Sequence, residues 1–148
     1  MVPISGLGGS RRRNRGGTNG RIKRYRQAGI IREFRTEYYH CETLIGDLAT
    51  VRKEDYVKYK KKLRSISRLD LLILDDFLLH PITDDYEVKA LYDVLESRNE
   101  AGTSCLICSQ RDPKSWPTML MEDEVSYNSI LKRVTKNYNV MINRKSVE

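Results

Sequence analysis

Residues 71–74, Leu-Leu-Ile-Leu, run straight into Asp75 and Asp76. Side chains alternate across a strand, so four consecutive apolar residues make a strand that is apolar on both faces. Such a strand belongs at the centre of a parallel sheet, where helices cover each side. Parallel neighbours cannot be joined by a tight turn. The chain around this run must therefore alternate strands with crossover helices.

The flanking sequence has that alternation. "FRTEYYH" (34–40) is aromatic and Thr-containing, as strands are, and Cys41 to Thr50 reads as a short helix carrying Leu44, Ile45 and Leu48. "KEDYVKYKKKLRSI" (53–66) is a second helix with Tyr56, Tyr59, Leu63 and Ile66 at helical spacing and lysines outside. Beyond the acidic pair, Pro81 marks a loop, and Asp84 and Asp85 start a helix that runs to Gly102. "TSCLICS" (103–109) is another buried strand, and "DPKSWPTML" (112–120) begins a helical turn. "DEVSYNSILKRVTKN" (123–137) is an amphipathic helix, and "YNVMIN" (138–143) a final strand. The expected fold class is α/β, a parallel sheet flanked by helices.

Residues 1–33 do not share this grammar. They show no period of 2 or 3.6, and seven of the nine glycines lie within the first 29 residues. An irregular or disordered basic arm is expected there, with the folded domain over 34–148. Residues 11–35 carry ten Arg or Lys against one Glu, so the net charge of +7 belongs to this segment and not to the domain behind it. Arg11, Arg12, Arg13, Arg15, Lys23, Arg24 and Arg26 are candidate contacts to nucleic-acid phosphates, with Tyr25 available for stacking; a solvated tail is the plainer reading. No stretch is long and apolar enough for a membrane span, and the basic start lacks the apolar core of a signal peptide. The chain reads as soluble and cytoplasmic. Cys41, Cys105 and Cys108 read as buried small hydrophobes in a reducing compartment, since the CxxC pair has no second pair and no nearby His.

Ligands of open parallel sheets bind beyond the carboxyl ends of the strands, which is where Asp75 and Asp76 fall. Four apolar residues followed by an acidic pair form the Walker B pattern of P-loop ATPases: one carboxylate holds Mg²⁺, and the other orients or deprotonates the attacking water. The plain alternative is that the pair merely ends the strand. "CLICSQ" delivers Ser109 and Gln110 to the same sheet edge, where either could sense a γ-phosphate. Arg133 could stabilise charge on a transferring phosphoryl group across a subunit boundary. A two-metal nuclease cluster of Asp75, Asp76, Asp84 and Asp85 is a weaker reading, because the last two suit a helix start. His40 and His80 have no ligand partners at recognisable spacing and receive no role.

"FRTEYYHCETLIGDLA", "LDLLILDDFLLHPITD", "LYDVLESRNEAGTSCLICSQRDPKSW" and "SILKRV" together resemble the IstB-like ATP-binding proteins, relatives of the DnaC helicase loaders within the AAA+ class. The resemblance covers about residues 34–145. It implies a partial P-loop NTPase (AAA+/RecA-like) sheet, ATP and Mg²⁺ as ligands, and a helper role in DNA transposition with a transposase and DNA as partners. It further implies Asp75 as the Mg²⁺ ligand, Asp76 at the catalytic acidic position, Ser109 or Gln110 as sensor and Arg133 as arginine finger. The family commonly has Gly where this chain has Leu78. The family's GxxxxGK[ST] loop, which cradles the phosphates, has no counterpart here: no Gly-Lys-Ser/Thr occurs in the chain. Residues 1–33 then read either as a frameshifted version of that loop and its helix or as a real arm. Self-association of the uncovered apolar faces is expected. A truncated or inactive copy, a non-catalytic nucleic-acid-binding remnant and a DnaC-like helicase-loader fragment stay open.

Overall fold

A computed structural model of the chain describes residues 21–27, 30–120 and 128, with the backbone alone up to residue 32. Four strands form one sheet in the order β1 (Arg21–Gln27), β2 (Ile30–His40), β3 (Leu71–Asp75), β4 (Ser104–Ile107). β2, β3 and β4 are parallel, with Tyr38 opposite Ile73 and Ile73 opposite Leu106. β1 pairs antiparallel to β2 from Arg21 opposite Thr36 to Gln27 opposite Ile30.

The hairpin corrects the expectation of an irregular arm over 21–27 and 30–33. A ladder with β2 satisfies backbone groups regardless of side-chain period, so a strand can form where no alternation of apolar residues announces it. Residues 1–20, and with them Arg11, Arg12, Arg13 and Arg15, lie outside the described residues. So do Arg133, the helix expected over 123–137 apart from Asn128, and the strand expected over 138–143.

Two helices link β2 to β3. α1 spans Cys41–Glu54 and α2 spans Tyr56–Ser67. Lys53 and Glu54 thus close the first helix instead of opening the second, and the break falls at Asp55, whose side chain accepts from the Lys58 N–H. An Asp at this N-cap satisfies an amide that the helix itself cannot. α3 spans Asp85–Ala101; Asp84 caps it by accepting from Tyr86 and Glu87 N–H, and Gly102 ends it at φ 65°. A short 3-10 turn (Pro113–Ser115) leads into α4 (Trp116–Met119), and Leu120 bridges back to Ile82.

The strand order explains the location of the core. From β2 to β3 to β4 the chain steps in one direction, and right-handed crossovers then place α1, α2 and α3 on a single face. The core gathers on that face: Leu72 and Leu74 of β3 pack with Cys41, Leu44, Leu48, Tyr59, Leu91 and Val94. On the opposite face Leu71 and Ile73 are only half-buried, and Leu106 is 50% exposed. Cover on both sides, expected from the apolar run, would require the strand order to reverse, which it does not do among the described residues. No described helix is long and apolar enough to cross a membrane.

At the amino ends of the strands a single buried residue ties the layers together. Arg98 of α3 is 2% exposed; Nη1 donates to the carbonyls of Ile66 (2.6 Å) and Leu69 (3.1 Å), and Nη2 donates to the Ser104 carbonyl. One guanidinium therefore joins the end of α2 to the starts of β3 and β4.

Candidate functional site

Parallel strands end on the same edge, so β2, β3 and β4 bring His40, Asp75 and the residues after Ile107 together. At the end of β3 the sheet-face alternation places Asp75 with Leu71 and Ile73 on the open face, diagonal to Tyr38 on β2. The Tyr38 hydroxyl donates to Asp75 Oδ2, and the Asp76 N–H donates to Asp75 Oδ1 (2.9 Å). These bonds favour the ionised form, and the Tyr38 hydroxyl is the larger reason that the Asp75 carboxyl lies below its usual range. The same bond pushes the Tyr38 hydroxyl up.

Asp76 leaves the sheet. Its φ is 50°, the left-handed region, which Asp tolerates better than most residues. From that turn its carboxylate meets partners of its own: Oδ2 lies 3.1 Å from His40 Nε2, and Oδ1 accepts from Gln110 Nε2 at 2.8 Å. Leu78 also has positive φ, 52°, and is 2% exposed. It occupies the position where the resembling family commonly has Gly, which adopts this conformation without a Cβ penalty. Burial of the Leu78 side chain offsets the strain here.

Backbone and side-chain bonds clamp the two loops of the edge. The Phe77 N–H donates to the Cys108 carbonyl (2.9 Å), and Arg111 Nε donates to the Leu79 carbonyl (2.8 Å). Ser109 belongs to this clamp. Its hydroxyl donates to the Phe77 carbonyl (2.9 Å) and accepts from Arg111 N–H and Trp116 Nε1–H. Of the two sensor candidates, then, Gln110 reaches the acidic pair and Ser109 holds the loop that carries it. Asp84 and Asp85 sit at the start of α3, where Asp84 accepts from Lys53 Nζ (3.0 Å) and is held below the usual carboxyl range chiefly by that bond. They do not join Asp75 and Asp76. Lys23, Arg24 and Arg26 lie on β1, opposite Phe34, Glu33 and Ile31.

His40 and Tyr38 received no role from the sequence. Their signal was positional: both close the strand next to the acidic one, and parallel register sets His40 opposite Asp75. The oxygen donors fit Mg²⁺ in the way that ion is commonly held, through one or two carboxylates plus the substrate's phosphates. Asp75 and Asp76 would supply the carboxylates, each oxygen keeping lone-pair capacity beyond the bond it already accepts. Among the described residues no group of three or more His, Cys, Asp or Glu forms an all-protein cage.

The pull of Tyr38 on Asp75 has a measurable sign. Asp75 is depressed in the folded state, so its contribution to stability is present above the ordinary carboxyl range and is lost as pH falls through its folded value. Tyr38→Phe should raise the Asp75 titration midpoint toward the ordinary value and weaken that acid-side dependence, leaving the part that the Asp76 N–H supplies. Carboxyl-carbon NMR titration of both proteins checks this; an unchanged Asp75 midpoint would refute it.

A family model described as IstB-like ATP binding protein matches residues 25–147. No curated protein matches the chain.

Proposed function

The chain belongs to the IstB-like ATP-binding protein family, which its matching residues span for most of its length, and from that premise we propose that Asp75, Asp76 and Gln110 form the acidic half of an ATP site. The observation that carries the reading is an adjacent acidic pair at the end of a central parallel strand, with its two carboxylates turned to different partners. Asp75 sits on the sheet edge in the position to hold Mg²⁺, which when bound would neutralise phosphate charge. Asp76, turned out of the sheet, is placed to accept a proton from water or to orient it. Gln110 and His40 fix where the Asp76 carboxylate points. Arg133 completes the proposed site as a cation supplied across a subunit boundary, so self-association is part of the proposal.

The proposed biological role is that of a helper ATPase for a DNA transposase, acting in the cytoplasm on DNA, with Arg11, Arg12, Arg13, Arg15, Lys23, Arg24 and Arg26 on phosphates. A second reading, a DnaC-like or nucleic-acid-binding relative without catalysis, is favoured by one observation: the chain has no Gly-Lys-Ser/Thr to cradle the β- and γ-phosphates. Phosphate release from Mg²⁺-ATP, with and without DNA, separates the two. The ATPase reading expects turnover that falls about 100-fold in Asp76→Asn while nucleotide binding persists, the scale of losing a positioned base. No release by the parent chain under any condition would leave the non-catalytic reading standing.

A further inference from the structure

The polar side chains of β2 and the acids of β3 are paired out of register. His40 stands directly opposite Asp75, yet its ring nitrogen meets Asp76. Asp75 is met by Tyr38, which stands opposite Ile73, two residues back along the acidic strand. One strand across and two residues along amounts to about 8 Å between backbones. A tyrosine ring is long enough to carry its hydroxyl over that gap.

Folding gives little reason for the bond. Tyr38 is 40% exposed, so its hydroxyl could donate to water and leave no buried group unsatisfied. What the bond changes is Asp75. With the Tyr38 hydroxyl on Oδ2 and the Asp76 N–H on Oδ1, the carboxylate is held at both oxygens, which restrains both of its torsions. The same hydroxyl is the chief reason that this carboxyl stays ionised below its usual range. Each oxygen still has lone-pair capacity to offer. A half-buried carboxylate at the rim of the sheet is thus set in one orientation before any ligand arrives.

We propose that Tyr38 is a positioning residue that presets Asp75 to take Mg²⁺ at the carboxyl edge of β3. The inference rests on the reading of that edge as an ATP site and adds to it a residue that acts only through Asp75. Hydrogen bonds to a metal-ligating side chain fix its orientation, and losing one costs roughly 10- to 100-fold in metal affinity. The neighbouring Tyr39 supplies the control. Its hydroxyl donates to Glu37, on the other face of β2 and away from Asp75.

The test is binding of a fluorescent ATP analogue to the full chain across a Mg²⁺ series, in the parent, Tyr38→Phe, Tyr39→Phe and Asp75→Ala. Tyr38→Phe should need roughly 10- to 100-fold more Mg²⁺ for half-maximal binding and should approach the parent's maximum when Mg²⁺ is in excess. Tyr39→Phe should keep the parent's midpoint. Free Mn²⁺ counted by electron paramagnetic resonance, with Mn²⁺ in place of Mg²⁺, should show the same loss without fluorophore or turnover. Phe at position 38 keeps the ring, and circular dichroism confirms that each variant folds. If Tyr38→Phe keeps the parent's Mg²⁺ midpoint while Asp75→Ala no longer binds, the role of Tyr38 is overturned and the ATP site stands. An equal shift in Tyr39→Phe overturns that role as well, since any hydroxyl lost from β2 would then act alike. A parent that does not bind, or an Asp75→Ala that binds like the parent, overturns both.

Discussion

Replacing Arg98 by Ala should lower the unfolding free energy by about 3 kcal/mol, the scale of losing several hydrogen bonds from a charged donor to buried acceptors. Three carbonyls, those of Ile66, Leu69 and Ser104, converge on this guanidinium from three different segments. Burial lowers the pKa of Arg98 from its ordinary value. An arginine starts high enough to stay charged, which a lysine in the same place would not be sure to do. Arg98→Met separates the two parts of the effect: it refills most of the volume and supplies no donor. It should recover little stability if hydrogen bonding dominates. Arg98→Lys should recover less than half, since one ammonium cannot span three carbonyls held in a planar fork's geometry. Urea unfolding with an unchanged m-value is the measurement. An Arg98→Met protein as stable as the parent would show that packing, not carbonyl capping, is what Arg98 provides.

Phe77→Ala should cost about 3–5 kcal/mol, the range for emptying an aromatic site in a core. Phe77 is 1% exposed and meets Trp116 edge-on, with ring centres 4.9 Å apart. The site feels this replacement as well. Phe77 directly follows Asp76, and its backbone is bonded on one side to Cys108 and on the other to Ser109. With the ring gone, the hydrogen bonds of the loop hold the left-handed turn at Asp76 without its apolar anchor, and the Gln110 to Asp76 bond should loosen. Phe77→Leu, which keeps most of the apolar contact, should retain the larger part of the stability. Equal loss from Leu and Ala would mean that the edge-on ring pair, not buried volume, is the main contribution.

The alternation of strands and helices from residue 34 to 120 was legible because each element carries its own period and its own stop. Gly102 ends α3 with a left-handed residue that only a glycine adopts freely, and the apolar run of β3 has no helical period to compete with. The acidic pair was legible for the same reason: two charges cannot continue a buried strand. Other features depend on partners far along the chain. β1 is held by its register against β2, which its basic sequence does not encode as an apolar alternation. The gathering of the described helices on one face of β3 follows from strand order, a property of no single segment. The division of labour between Ser109 and Gln110 depends on which of two adjacent side chains meets the Phe77 carbonyl. His40 could be placed near the acids only once parallel pairing set it opposite Asp75.

The carboxyl edge of β3 is the proposed nucleotide site. Equilibrium binding of a fluorescent ATP analogue with Mg²⁺, to the parent chain and to Asp75→Ala, tests it most directly. Binding by the parent is expected in the micromolar range, a free energy of about −8 kcal/mol, dependent on Mg²⁺ and lost in Asp75→Ala while the variant stays folded. Binding that is unchanged in Asp75→Ala, or no binding by the parent, would contradict it.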